Sequence, residues 1–440
     1  MTSVGLKKVE AALALLESGQ LENFAHGGVI ESSLLDLPTG KVLEHRLLSN
    51  ITYPYEWTPS QLHEAACFTV ELQLRLLKLG FTLKDASPFN IAFEKGKAVF
   101  MDLPSIEPDE EVQGWVGLRD FFEYFLYPLL IAKYLGLHHF RFWMASLGRV
   151  KLTEAGKLLS RAPFWSASIF KYVRLPLLLA RLTTILNLDR IESKLKVPAP
   201  IVESNLEAIM TTLRSLVPKA EHSFWSRYAS ECHYSDSARI EKHAFLESEL
   251  SRMTLNGAKF NLGLDIGANT GEYSELLSRF ASSVISIESD SDSADQIYKM
   301  ARAKSFDVHP IVSDFTALTP ALGWAGLERK SFLQRWQGKI DMTLALAVIH
   351  HLRIDANVPL AMILDQLGEL SHHLIIEWVG MEDPKCKQLL RGRDPSIYQD
   401  YDYPQFINLL RDRFDIHQSC TLSNGRVLIS ATKKATNRKS

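Results

Sequence analysis

The residues with the clearest capacity for chemistry lie between positions 260 and 385. NLGLDIGANTGEYSELL (261–277) reads as a strand, a glycine loop and then a helix. Gly267 and Gly271 let the backbone turn sharply and approach a ligand closely, and a helix start offers free N–H groups. A dinucleotide-binding turn would carry glycines at 267, 269 and 272, but this chain has Asn269 and Glu272, which disfavours a pyrophosphate guest. Two more acids end the next apolar runs: Glu288 closes SVISIE, and Asp314 follows DVHPIV. S-adenosylmethionine (SAM) suits such a set, because it offers an ammonium, a carboxylate, a sulfonium and a ribose but no phosphate. Asp265 would orient the ammonium end. Glu288 would accept both ribose hydroxyls, each charge-assisted bond worth about 1.5–3 kcal/mol. Asp314 would receive the adenine amino group, and Gly267, Asn269 and Gly271 would border the ligand.

A second group follows the fourth and fifth apolar runs: His350 and His351, then Glu377, Trp378 and Asp383. Either histidine is placed to serve as a general base for a hydroxyl acceptor. The plainer alternative is that one histidine packs and the other caps a turn or faces solvent. The pairs 350–351 and 372–373 do not make a metal site, because adjacent side chains point apart, and no metal is expected. Residues 380–404 form a long connection of the kind that serves as a lid or binding loop, and Arg391, Arg393 and Tyr398 within it are either acceptor contacts or surface polar groups.

These residues need a scaffold that brings strand ends together. NLGLDI, SVISIE, DVHPIV, KIDMTLAL and HHLIIEWV are β-rich runs separated by helix-like sequence, which calls for a parallel sheet with helices on both faces. FDIHQSC and RVLISATKK, with SNG near their turn, should pair as an antiparallel hairpin. The expected fold is α/β: a C-terminal Rossmann-like, seven-stranded sheet ending in that hairpin, preceded by an α+β segment and a mainly helical region. The boundaries read as 1–115 (α+β), 116–220 (helical), 221–434 (the sheet domain) and 435–440 (a frayed, disordered tail).

Within the first part, SQLHEAACFTVELQLRLLKLG (60–80) has helical spacing and stops at Gly80, and FNIAF and AVFMDL read as a hairpin turning through EKGK. KVPAPIVES (196–204) reads as a joint between helices. Two apolar stretches, 121–137 and 169–188, carry Glu123 and Lys133, and Lys171, Arg174 and Arg181; charges at those depths favour buried bundle helices over membrane spans.

The length of 440 residues implies two or three domains, and a net charge of -2 counts against a polyanionic partner such as nucleic acid. Cys67, Cys232, Cys386 and Cys420 form no CxxC pair, which fits a reducing compartment. The N-terminal segment has no signal-peptide pattern, so a cytoplasmic location is expected.

DIGANTGEYS resembles motif I of class I SAM-dependent methyltransferases, and Glu288, Asp314 and KIDMTLALAVIHHL resemble their second, third and fourth motifs, over about 221–434. Asn269 stands where many members have glycine. YPYEW (53–57), LKDASPFNIAF (83–93), WSRY (225–228) and IEWVGMEDP (376–384) are similar to the NoeA-related nodulation (host-specificity) subfamily. Asp85, Asn90 and Asp102 resemble the catalytic loop and metal-binding hairpin of kinase-like phosphotransferases, but DLPS replaces the DFG-type sequence and HGGVIES is a poor nucleotide loop, so the segment is expected to be a degenerate module. The resemblance implies SAM as cofactor and methyl transfer by direct in-line displacement to a hydroxyl or other nucleophile of a small molecule or glycoconjugate. The alternatives are RNA or protein methylation and a non-catalytic SAM-binding scaffold.

Overall fold

A computed structural model describes residues 3–38, 40–109, 114–140, 143, 148–163, 165–185, 197–218 and 236–435. The WSRY segment, Cys232, the linker 186–196 and the tail 436–440 lie outside the described residues. The chain divides into two compact units, Met1–Lys219 and Ala220–Ser440. The α+β segment and the helical region, expected as separate domains, fall together in the first. The helix Pro59–Lys78 packs against the helix Ala199–Ser215, and His63 Nε2 bonds the Leu213 carbonyl at 2.9 Å.

Among its described residues the first unit holds seven short strands. β1 (Gly27–Val29) runs parallel to β6 (Lys97–Phe100), which pairs with β5 (Ile91–Glu94) in the expected hairpin; β2 (Ser32–Leu37) pairs with β3 (Gly40–His45), and β4 (Phe81–Leu83) with β7 (Ile106–Pro108). The helix Pro59–Lys78 begins with a reciprocal cap, the Thr58 hydroxyl accepting from Gln61 N and Gln61 Oε1 accepting from Thr58 N, and ends at Gly80. Of the two apolar stretches, the first buries Phe121, Phe125, Leu126, Leu129, Leu130 and Ile131 as expected. The second buries Ile169, Tyr172 and Val173 but leaves Leu175, Leu178, Leu179 and Leu182 open, so it is a bundle helix on one face only. No helix among the described residues is long and apolar enough to cross a membrane.

The second unit is built on one seven-stranded sheet: β8 (Phe260–Ile266), β9 (Ala281–Glu288), β10 (Val308–Val312), β11 (Ile340–Ala345), β12 (Ser371–Trp378), β13 (Phe414–Thr421) and β14 (Val427–Lys433), in the order β10-β9-β8-β11-β12-β14-β13. The first five are mutually parallel and almost wholly buried, as sequences rich in Val, Ile and Leu must be when helices cover both faces. β13 and β14 form the expected antiparallel hairpin, but β14 inserts between β12 and β13, pairing Ile376 with Ile429. The chain moves outward from β8 through β9 to β10 and then returns to the other side of β8 as β11. The sheet therefore reverses order between β8 and β11, and a crevice is expected at the carboxyl ends of those strands.

Candidate functional site

Because the five strands are parallel, the residues at their carboxyl ends share one edge of the sheet. Read along that edge from β10 to β12 they are Asp314, Glu288, Asp265, the His350–His351 pair and Glu377. At the usual spacing of about 4.8 Å between strands, the row spans about 20 Å, a length suited to a nucleoside at one end and an acceptor at the other.

The centre of the row is the turn after β8. Gly267 and Gly271 adopt φ of 67° and 89°, and Asn269 sits between them at 49°. A Cβ on Gly267 would come 3.0 Å from Val348 Cγ2, so the left-handed backbone and the packing both ask for glycine there. Gly267 N and Ala268 N donate to the Ile287 carbonyl at 2.9 and 3.0 Å, tying the turn to β9. The Asn269 side-chain Oδ1 is buried and has no hydrogen-bond partner.

Asp265 is 2% exposed. Ser274 Oγ donates to its Oδ2 at 2.6 Å, and Ser286 Oγ donates in turn to Ser274 Oγ at 2.9 Å. Burial raises the Asp265 pKa from 3.8 to about 7, against the opposing pull of the Ser274 hydroxyl and the Lys242 charge. The Asp265 carboxyl group is thus held in a dry position at the centre of the row. Glu288 is held by the loops beside it: Oε2 accepts from Asn269 N at 2.8 Å, and Oε1 from Asp290 N at 2.8 Å and Ser289 Oγ at 3.3 Å. Burial raises its pKa, although those N–H donors work in the other direction. Asp314 is exposed and caps a short turn, its Oδ1 accepting from Thr316 N at 2.8 Å and Thr316 Oγ1 at 2.7 Å.

On the β11 side the two histidine rings lie 4.2 Å apart, tilted by 45°. His350 is 2% exposed, its Nδ1 is buried without a partner, and burial pushes its pKa down to about 2, aided by His351, Arg426 and Lys385. His351 is half-buried; burial lowers its pKa too, and Asp355 opposes the shift. It opens the π-helical turn His351–Asp355, a distortion common where a side chain is re-aimed at a site. Glu377 is fully buried, and both its oxygens meet cations: Lys242 Nζ at 2.5 Å from Oε2 and Arg426 Nη1 at 3.4 Å from Oε1. Arg426 Nε also donates to Asp383 Oδ2 at 2.8 Å, and Lys242 Nζ lies 4.7 Å from the Tyr273 ring centre.

No family model matches the chain. Nodulation protein NoeA of Rhizobium meliloti (strain 1021) is 31% identical over 403 residues, which cover 91% of this chain and 83% of that protein. The chain belongs to the NoeA family. Two solved structures are also similar to this NoeA-family chain. The N-methyltransferase NodS from Bradyrhizobium japonicum WM9 is 12% identical, with a TM-score of 0.33, over 46% of this chain and 99% of that one. Magnesium protoporphyrin IX methyltransferase from Synechocystis PCC 6803, with S-adenosylhomocysteine (SAH) bound, is 15% identical, with a TM-score of 0.33, over 45% and 86%. The C-terminal unit of the NoeA-family chain has the class I methyltransferase fold that its motifs implied, hairpin included.

Sequence reasoning missed Lys242, Ser274, Ser286 and Arg426. Ser274 stood in the motif itself, one turn after Gly271, and was legible there. Lys242 lies in the polar helix Asp236–Leu255, among many charged neighbours that look alike. Arg391, Arg393 and Tyr398 were candidates for acceptor contacts. Arg393 instead bonds the Ile354 carbonyl at 2.7 Å and Asp355 Oδ1 at 2.8 Å, and the buried Tyr398 hydroxyl donates to Ile354 O at 3.3 Å. With Arg353 on Asp400, these bonds strap residues 390–401 to the turn that carries His351. In the first unit Asn90 Nδ2 donates to Asp102 Oδ2 at 3.4 Å and the Ser105 hydroxyl bonds the same oxygen, while Asp85 caps its own turn through Ser87 N. Among the described residues no cluster of three His, Cys, Asp or Glu side chains is placed to hold a metal ion.

Proposed function

We propose that this NoeA-family chain is a SAM-dependent methyltransferase that passes the methyl group by direct displacement to a hydroxyl, or another nucleophile, of a small molecule or glycoconjugate. The observation that carries the reading is the row of strand-end side chains with a desolvated Asp265 at its centre. The orphaned Oδ1 of Asn269 beside it supports a ligand with its own donors. Asp265 would hold the ammonium of the cofactor, Glu288 the ribose hydroxyls and Asp314 the adenine amino group through the oxygen its cap does not use. Gly267, Asn269 and Gly271 would line its approach. The cofactor supplies one thing, an electrophilic methyl on a sulfonium, and the chain's own residues position the acceptor and take its proton.

For that proton we assign His351 over His350. His351 is half-buried, and burial lowers its pKa, which favours the neutral ring that a general base requires. His350, at about 2, is too weak a base and too deeply packed. Glu377 lies between two cations, so it positions the wall of the site and does not move a proton.

His351→Ala should lower kcat by about 10²–10⁴-fold, with the KM for SAM unchanged. The wild-type acid limb governed by this group should fall below the usual histidine pH of 6.5. Equal kcat in variant and wild type would remove His351 from the reaction. The acceptor class is tested with methyl-labelled SAM and a cell extract. Label is expected in material that survives protease and nuclease; label in RNA or protein would overturn the small-molecule reading, to which a near-neutral chain already lends support.

A further inference from the structure

One surface of the first unit is unexplained by this chemistry. Ala167–Ile169, Phe170–Arg174 and Leu175–Ile185 are successive helical stretches of the first unit. Their inner side chains, Ile169, Tyr172 and Val173, are buried. Leu175, Leu178, Leu179 and Leu182 are 36, 51, 52 and 44% exposed. Their spacing of i, i+3, i+4 and i+7 puts them in one stripe along one side of the helix. Phe170 and the largely exposed Trp165 lie at its amino-terminal end. An apolar stripe of this kind turned to water is costly in a soluble protein unless something covers it.

The charge around the stripe says what covers it. From Glu154 to Asp189 the chain carries Lys157, Arg161, Lys171, Arg174 and Arg181 and not one carboxylate between them, in a chain whose net charge is -2. Arg181 is exposed and follows Leu178 by three residues, so it borders the stripe, whereas Arg174 turns its guanidinium onto the Ala162 carbonyl at 2.9 Å. A second copy of this face would bring those cations against each other. Among the described residues no helix is long and apolar enough for a span, and Lys171, Arg174 and Arg181 oppose one. An apolar stripe bordered by cations, with an exposed tryptophan at one end, is the pattern of a helix lying in the headgroup region of a bilayer.

We infer that this face docks the chain on an anionic lipid surface, leucines in the acyl boundary and Arg181 at the phosphates. The reading is independent of the methyltransferase assignment. The test is sedimentation of the full chain with vesicles of phosphatidylcholine alone, or of equal parts phosphatidylcholine and phosphatidylglycerol. Salt is set at about 0.1 M and about 1 M, between which the screening length falls from about 10 to about 3 Å. The chain should pellet with the anionic vesicles at low salt only. Arg181→Gln should weaken binding about fivefold, the equivalent of about 1 kcal/mol per surface cation. Leu178→Gln with Leu182→Gln should weaken it at least about tenfold, with SAH affinity and melting temperature unchanged because both side chains are exposed. No pelleting of the wild type overturns the proposal, as does equal pelleting of the leucine variant. A dimer that the leucine variant dissolves, without vesicle binding, overturns it in favour of self-association.

Discussion

Replacing Asp265 by asparagine should make the ligand-free protein more stable at neutral pH and leave it unable to hold the cofactor. The wild-type carboxyl keeps its proton up to about pH 7 when folded and releases it near 3.8 when unfolded. Stability is therefore lost as pH rises from that ordinary value through 7, by up to roughly 4 kcal/mol for a shift of this size. An asparagine Oδ1 can still accept from Ser274 Oγ, and it carries no charge to desolvate. The difference in melting temperature between variant and wild type should be near zero at the acid end and greatest above pH 7. The same substitution removes the partner of the ligand's ammonium, a loss of about 2–5 kcal/mol, or at least about thirtyfold in affinity. In the wild type, SAH binding should strengthen up to about tenfold per pH unit as Asp265 ionises below 7, and level off above it. A stability curve for Asp265→Asn that tracks the wild type at every pH would refute the desolvated carboxylate.

Glu377→Gln should be the most destabilising single change in the C-terminal unit that removes no apolar volume. The substitution removes the buried negative charge that Lys242 and Arg426 both face. Breaking a buried ion pair from one side costs about 3–5 kcal/mol, which in a unit of this size lowers the melting temperature by roughly 10 °C. Pairing the change with Lys242→Met, which removes the stranded cation, should recover most of that loss. Turnover measured on the double variant tests the positioning role assigned to Glu377. A positioning group regains activity along with stability, whereas a proton acceptor regains stability alone.

The parts of this architecture that the sequence discloses are those carried by local pattern. Each parallel strand is a short buried run of β-branched and aliphatic residues, and the acids at the carboxyl ends of three of them mark where the runs stop. Asp265, Glu288 and Asp314 could be placed on one edge because parallel strands leave no choice about which ends lie together. The insertion of β14 between β12 and β13 has no such local mark. It depends on Ile429 meeting Ile376 across more than fifty residues, and a hairpin alone is equally content with β13 inside. Lys242 and Arg426 escaped for the same reason: only their partners distinguish them from surface cations. In the first unit, strands of three residues such as β1 and β4 are made by pairing with distant strands, and Gly27–Gly28, poor as a nucleotide loop, proves to be strand β1 against Ala98 and Val99. The apolar stretch 169–188 reads as core when its leucines are counted without their faces. Four of them lie on the side that nothing buries.

The central claim is that the carboxyl edge of the seven-stranded sheet holds SAM, and calorimetric titration of the full chain with SAH tests it most directly, alongside Glu288→Ala. A micromolar or tighter site, one per chain, is expected, weakened at least about tenfold when the two ribose hydrogen bonds go. A folded wild-type chain that takes up no SAH, or a Glu288→Ala variant that binds it as well as the wild type, would contradict the account.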